Sequence, residues 1–268
     1  MHTVFRIDNV KQIDNKHPLY EVNLILASDD NQHLSQLTER IHKEIGGSTG
    51  WARLGKLLLK IDQVNKAEEV YTVLLEQTSD PTMKVHYYHQ LGCIQNNQGE
   101  YEKAIEYYIK ALEICRDALP SDHPDLAASY NNIGEVYRNM SDYSKALSFY
   151  EKAFEIHRKI LPPNHPDLAT SYNNFGALYR NLGDNSKALS SYEKAREIFE
   201  KTLPSNHPDL ATCYNNFACV YDSMREYSKA LSFFERTRDI RQRSLAPNDP
   251  LLTEVLERIE MIRKKLKT

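Results

Sequence analysis

Three histidines open nearly identical pentapeptides, HPDLA, at His123, His165 and His207, 42 residues apart each time. Imidazole is a common metal ligand, but a shared metal needs every ligand within bonds of roughly 2 Å. One histidine per period, each at a loop end, is spread too widely for that and reads as loop structure. His86 and His89 stand three apart without a third ligand nearby in sequence. The cysteines, Cys93, Cys115, Cys213 and Cys219, form no C-x-x-C pair and read as free thiols of a reducing compartment. Neither Cys93 nor Cys219 carries a His-Asp arrangement that would make it a nucleophile. Gly46-Gly47-Ser48-Thr49-Gly50 lacks the lysine and the strand-to-helix order of a phosphate loop and reads as a hinge. The chemistry left is recognition. Asn131, Asn173 and Asn215 recur with the same period, and Arg138 and Arg180 follow the first two by seven residues. An amide offers both a donor and an acceptor to an extended peptide backbone, and guanidinium prefers carboxylates.

Positioning such a row requires a repeated scaffold, and the sequence supplies one. Of 268 residues, 41% are hydrophobic and 26% charged, with 9 Gly and 11 Pro, the balance of a folded globular chain. A net charge of -3 exerts no strong pull on nucleic acid or anionic lipid. No apolar run approaches a membrane span. Arg6, Asp8 and Lys11 interrupt what would be the apolar part of a secretory signal, so a cytoplasmic location is expected.

Self-similarity with a 42-residue period predicts stacked units, each a helical hairpin. Counted from Ser48, Val85, Ala127, Ala169 and Ala211, the eighth position is Gly55, Gly92, Gly134, Gly176 and Ala218. The twentieth is Ala67, Ala104, Ala146, Ala188 and Ala230, and the twenty-seventh is Leu74, Ala111, Ala153, Ala195 and Thr237. Small residues at these places let two helices approach closely, with Tyr101, Tyr143 and Tyr227 at the seventeenth position expected to fill the wedge. In NHPDLATSYNNFG, Pro166 suits a first helical turn and Asp167 its positive end, so one helix is expected to Asn181 and the next from Asn185. Five units are predicted, about 48–81, 85–118, 127–160, 169–202 and 211–244. A last helix, about Leu251 to Lys267, has Leu252, Val255, Leu256, Ile259 and Ile262 on one side and suits a cap. Its basic end, Arg263 to Lys267, reads as a solvated terminus favoured by the helix dipole.

The pattern HPDLAxxYNNxGxxYxxxxxYxKAxxxYExAxxIxxKxLxxNHPD resembles the tetratricopeptide repeats of kinesin light chains and of other proteins with the 42-residue version. The resemblance implies an all-α fold, a right-handed superhelix or α-solenoid, over about 48–245, with a capping helix at 250–268. It also implies that positions 2, 5, 9, 12 and 13 of each first helix face a concave groove. Asn131, Arg138, Asn173, Arg180 and Asn215 are then the expected peptide-binding residues, with Cys93 and Cys219 lining the groove. Asp222 departs from a uniformly basic surface, and the neighbouring Asn132, Asn174 and Asn216 are expected to bond between helices. The corresponding asparagines of kinesin light chains hold acidic, Trp-containing cargo peptides, so the implied partner is a protein or peptide of acidic character. Neither cofactor nor metal is called for.

Residues 1–47 read differently. MHTVFRID and YEVNLILAS have the branched and aromatic content of strands, whereas NQHLSQLTERIHKEIG has helical periodicity, which makes a small mixed α/β segment. This segment resembles the C-terminal end of an arginine-specific mono-ADP-ribosyltransferase domain. In that family the catalytic E-x-E and the motifs that bind NAD lie upstream of the matching strand; here Glu21 and Glu39 form no such pair, which implies a truncated or remnant domain. Three readings follow: a non-catalytic interaction scaffold, a fragment of such a transferase carrying repeats, and a kinesin-light-chain-like cargo adaptor.

Overall fold

The computed structural model describes residues 5–14, 19–26, 50–60 and 63–267, and the helix expected over residues 31–46 lies outside them. Two strands, β1 (Phe5–Asp14) and β2 (Leu19–Leu26), pair antiparallel with Val10 opposite Val22. The rest is helical: α1 (Gly50–Lys60), α2 (Val64–Gln77), α3 (Pro81–Gln98), α4 (Tyr101–Ala118), α5 (Pro124–Asn139), α6 (Tyr143–Ile160), α7 (Pro166–Asn181), α8 (Asn185–Thr202), α9 (Pro208–Ser223), α10 (Tyr227–Ser244) and α11 (Pro250–Lys265). The chain divides into two compact units, 1–94 and 95–268. Beside the N-terminal hairpin, the architecture is an all-α repeat solenoid. No helix among the described residues is long and apolar enough to cross a membrane.

Each pair of helices is delimited by local chemistry. At the start of α5, α7 and α9 the imidazole Nδ1 of His123, His165 and His207 accepts the backbone N–H two residues on, at 3.3, 3.2 and 3.2 Å. Proline follows at the first helical position, where its missing donor does no harm. In the degenerate fourth copy Asp249 takes over the cap, its Oδ1 accepting from Leu251 N–H at 2.9 Å. The expected limits at Asn181 and Asn185 are those observed. Between the helices of a pair one residue turns left-handed, Gly99 and Gly183 at φ of 80° and 77°, with Ser141 and Arg225 forced to 62° and 61°. Asp142 and Asp184 then cap α6 and α8 by accepting from Lys145 and Lys187 N–H.

The expected wedge needs correcting. Tyr101, Tyr143 and Tyr227 are half-buried, and the ring that closes on the eighth-position glycine belongs to the twenty-fourth position instead. That series is Tyr71, Tyr108, Tyr150, Tyr192 and Phe234, each at most 2% exposed. A Cβ on Gly55 or Gly134 would lie 2.7 Å from the Tyr71 or Tyr150 ring, and one on Gly176 closer still to Tyr192. The alanines of the twentieth position are completely buried in all five copies. Thr237, where three other copies have alanine, keeps its hydroxyl satisfied by donating to Phe233 O at 3.0 Å.

Successive pairs join through buried residues near the end of one second helix and the start of the next first helix. His157 of α6 is 6% exposed, its Nδ1 3.0 Å from Ser171 Oγ of α7. Ser171 donates its own proton to Asp167 O, so His157 donates from Nδ1. Burial holds this imidazole below its ordinary pKa of 6.5, with Asp167 opposing and His165 adding to the shift. The equivalent residue one period later is Phe199. At the C-terminal end, α11 lays Leu252, Val255, Ile259 and Ile262 against Ala218, Ala230 and Phe234. Leu256, expected on that face, is instead exposed, because its place on the helix turns it past the contact.

Two outcomes test this packing. Gly176→Ala is expected to destabilise the chain by about 1 to 3 kcal/mol by overpacking against Tyr192, and Gly176→Ala/Tyr192→Phe to recover part of it, since Ala218 with Phe234 is the combination found in the last pair. Urea denaturation of the double-mutant cycle decides, and simple additivity would show the two sites uncoupled. A depressed folded pKa on a histidine gives stability that is full above its unfolded value near 6.5 and lost as pH falls below it. His157→Phe is therefore expected to flatten the fall of melting temperature between about pH 7.5 and 5.5; an unchanged slope would assign the effect elsewhere.

Candidate functional site

The first helices α5, α7 and α9 stand side by side and approach one another directly, α5 to α7 and α7 to α9. Residues seven apart on a helix share a face. This places Asn131 with Arg138 on α5, Asn173 with Arg180 on α7, and Asn215 with Asp222 on α9. All six are half-buried.

Two of the three asparagines are chemically unfinished. The Oδ1 atoms of Asn131 and Asn173 are enclosed and accept no hydrogen bond. An enclosed acceptor left unpaired costs about 1 to 3 kcal/mol, and both oxygens are turned into the protein rather than toward an incoming group. Asn215 carries no such enclosed atom. The adjacent Asn132, Asn174 and Asn216, expected to bond between helices, make no side-chain hydrogen bond among the described residues. An inter-helix amide pair does exist one helix away, where Asn139 Nδ2 donates to Asn96 Oδ1 at 3.0 Å.

The two arginines differ in their engagement. Arg138 pairs with Glu135 at 3.6 Å and lies beside the Tyr150 hydroxyl. Burial pushes that phenol up to about 12, and the guanidinium opposes the shift. Arg180 has no ion-pair partner among the described residues. Both guanidiniums act on Tyr192, whose buried hydroxyl has no hydrogen-bond partner and whose ionisation burial suppresses. Arg138, Arg180 and Tyr192 thus share one neighbourhood of the face, with Cys219 at its margin.

Toward the C-terminal end the charge changes hands. Asp222 occupies the position of the arginines, but Lys265 of α11 reaches back to it at 2.6 Å, with the ammonium also 5.3 Å above the Tyr227 ring. The basic end read as a solvated terminus therefore includes a residue that neutralises the acidic member of the face. Sequence spacing could not reveal this, since the partners are 43 residues apart on different helices. Tyr192, by contrast, was within reach: its ring type recurs at the twenty-fourth position of every copy.

The remaining candidates find other places. The three HPDLA histidines are helix caps. Cys115 and Cys213 are buried, with thiols pushed up to about 11 and about 12 by desolvation, which makes them poor nucleophiles at neutral pH. Cys93 is exposed and Cys219 half-buried. Glu21 lies on β2 opposite Lys11 of β1, and Glu39 falls outside the described residues.

A family profile described as tetratricopeptide repeat matches residues 85–159, 126–201 and 167–243. Among solved structures, BtubC (BKLC) from P. vanneervenii is 24% identical, with 82% of this chain and 86% of that chain covered and a TM-score of 0.59. A P. anserina protein described as a kinesin light chain with nearly identical TPR-like repeats is 22% identical over 72% of this chain and 94% of that one, at a TM-score of 0.54. A Rap protein complexed with competence and sporulation factor is 18% identical over 84% and 69%, at 0.62. At these identities the likeness is one of fold. A comparison with curated proteins finds no match.

Proposed function

Because the chain belongs to the tetratricopeptide repeat family, its residues 85–243 carrying the match, we propose that it is a non-catalytic interaction scaffold that binds a partner peptide on the inner face of α5, α7 and α9. Five repeats, about 48–81, 85–118, 127–160, 169–202 and 211–244, build the scaffold, and α11 closes its end. The observation that carries this reading is the recurrence of Asn131, Asn173 and Asn215 at one position of three adjacent first helices, two turns from Arg138 and from Arg180, which has no ion-pair partner among the described residues. An extended segment supplies backbone carbonyls at intervals along its length, and each amide donates an Nδ2–H to one. Arg138 and Arg180 add a preference for a carboxylate between them. Asn215 extends the row, and the Asp222–Lys265 pair sets the limit of its basic character. A solved neighbour of the same fold is complexed with competence and sporulation factor, which supports a partner-binding role for the fold. Cys115, Cys213 and Cys219, free among the described residues, fit a cytoplasmic setting.

A displayed peptide library selected on the full chain supplies the ligand for a direct test. The affinity of a selected peptide, measured calorimetrically, is expected to fall by about 1 to 3 kcal/mol in Asn173→Ala/Arg180→Ala, with melting temperature unchanged. Equal affinity for both proteins would sink the assignment of the inner face.

A further inference from the structure

A second surface differs between otherwise equivalent helix pairs. Along the seam of a pair, the fourth and eleventh positions of the first helix meet the twenty-third of the second. In α5 and α6, Phe149 stacks on Tyr137 at 5.5 Å and 16° and meets Tyr130 at 6.1 Å, with Lys152 Nζ 4.9 Å above it. In α9 and α10, Phe233 stacks on Tyr221 at 5.6 Å and 13° and meets Tyr214 at 6.1 Å, beneath Arg236. The pair α7 and α8 keeps both tyrosines, Tyr172 and Tyr179, but has Ser191 where the phenylalanines stand. Ser191 turns back on its own helix, its hydroxyl donating to Lys187 O at 2.8 Å. Tyr179, unlike Tyr137 and Tyr221, has no stacked ring among the described residues.

The cations have nonetheless kept their stations. Lys187 and Lys194 each hold Nζ 5.3 Å from the ring centres of Tyr179 and Tyr172. Lys187 is paired with Asp184 at 3.0 Å, whereas Lys194 is exposed and has no ion-pair partner among the described residues. In this pair two tyrosines therefore flank a small side chain where the neighbouring pairs have a ring; Tyr172 is met from α6 by Phe154 at 5.2 Å, Tyr179 has no ring partner among the described residues, and Lys194 lies above Tyr172.

We propose that the surface of Tyr172, Ser191 and Tyr179 receives a phenylalanine side chain from a partner segment that carries a carboxylate next to that residue for Lys194. The chain itself supplies the pattern for the occupant: a phenyl ring fills the same place in the preceding and following pairs, stacked on the same tyrosine and under a cation. Offset stacking and the ring quadrupole favour that arrangement over an aliphatic side chain. The seam uses positions 4, 11 and 23, whereas the inner face uses 5 and 12, so this site stands independently of the peptide groove proposed above.

The test uses isotope-labelled full chain titrated with the capped tripeptides Ac-Asp-Phe-Asp-NH2, Ac-Asp-Leu-Asp-NH2 and Ac-Lys-Phe-Lys-NH2. The first is expected to produce saturable shifts at Tyr172, Tyr179 and Ser191, with dissociation about tenfold weaker for the leucine peptide, the scale of one aromatic contact, and weaker also for the lysine peptide. Ser191→Phe is expected to raise the melting temperature by restoring the stack and to abolish the shifts. A lower melting temperature in Ser191→Phe would mean the space is not there; shifts that persist in it, or none at millimolar peptide, would equally overturn the proposal. So would shifts that appear on concentrating the chain without peptide, which would make a second copy the occupant. Alanine at Asn131, Arg138, Asn173 and Arg180 together is expected to leave the tripeptide shifts intact, and their loss would count against the proposal.

Discussion

The contact on which the rest of the structure depends is the closure of an aromatic ring on a residue without a side chain. Tyr71, Tyr150 and Tyr192 lie against Gly55, Gly134 and Gly176 so closely that a single methyl group has no room. Two helices can approach that far only where the opposing surface is bare, and the buried alanines of the twentieth position extend the same bareness along the second helix. Close packing within a pair fixes the direction in which its outward residues point. The shared face inherits that fixity: Asn131 and Asn173, in the two pairs where a tyrosine seats on a glycine, are enclosed alike, and Asn215, in the pair with Ala218 and Phe234, is not. Tyr192 belongs to both systems, buried against Gly176 on one side and within the fields of Arg138 and Arg180 on the other.

This coupling of scaffold to surface explains how the chain tolerates drift. Ala218 stands where glycine does elsewhere, and the ring opposite has become Phe234, which has no hydroxyl to place if it shifts. His157, Phe199 and Arg241 occupy one equivalent buried position with three different chemistries, each finding its own solution: a hydrogen bond to Ser171, apolar packing, and donation to Leu251 O at 2.6 Å. Cys115 fills the same position one copy earlier, so what the copies share there is burial rather than volume or chemical identity. The caps behave in the same way, since His123, His165, His207 and Asp249 all offer an acceptor to the second backbone N–H of a helix.

Much of the scaffold was legible in the sequence because a repeat samples the same environment several times. The limits of α7 and α8 follow from Pro166, Gly183 and Asp184, each with a local mechanism that needs no tertiary information. Which tyrosine meets the glycine was harder: positions 17 and 24 are both aromatic in several copies, and they are told apart by depth, which is a property of how the second helix rolls against the first. The role of Lys265 was out of reach, because its partner Asp222 is brought near by the docking of α11 rather than by any period. Of the candidate site, the placement of each asparagine on a shared helix face could be foreseen. That Asn131 and Asn173 enclose a bare acceptor while Asn132 and Asn174 make no side-chain hydrogen bond among the described residues depends on how the first helix is rolled in the stack.

In a chain built this way, the most informative positions are those where one copy departs while its surroundings do not. A residue that changes together with its neighbours, as Ala218 does with Phe234, has been absorbed into the packing. Ser191 has not been absorbed: the tyrosines that would flank a ring and the lysines that would cover it are still in place, and a hydrogen bond to its own helix replaces the lost stack. Asp222 lies between these cases, a departure on the inner face that α11 has answered with Lys265. The repeats thus provide an internal reference against which each copy can be read. What they share maintains the stack, and an unanswered difference in one copy marks where its surface departs from that of the others.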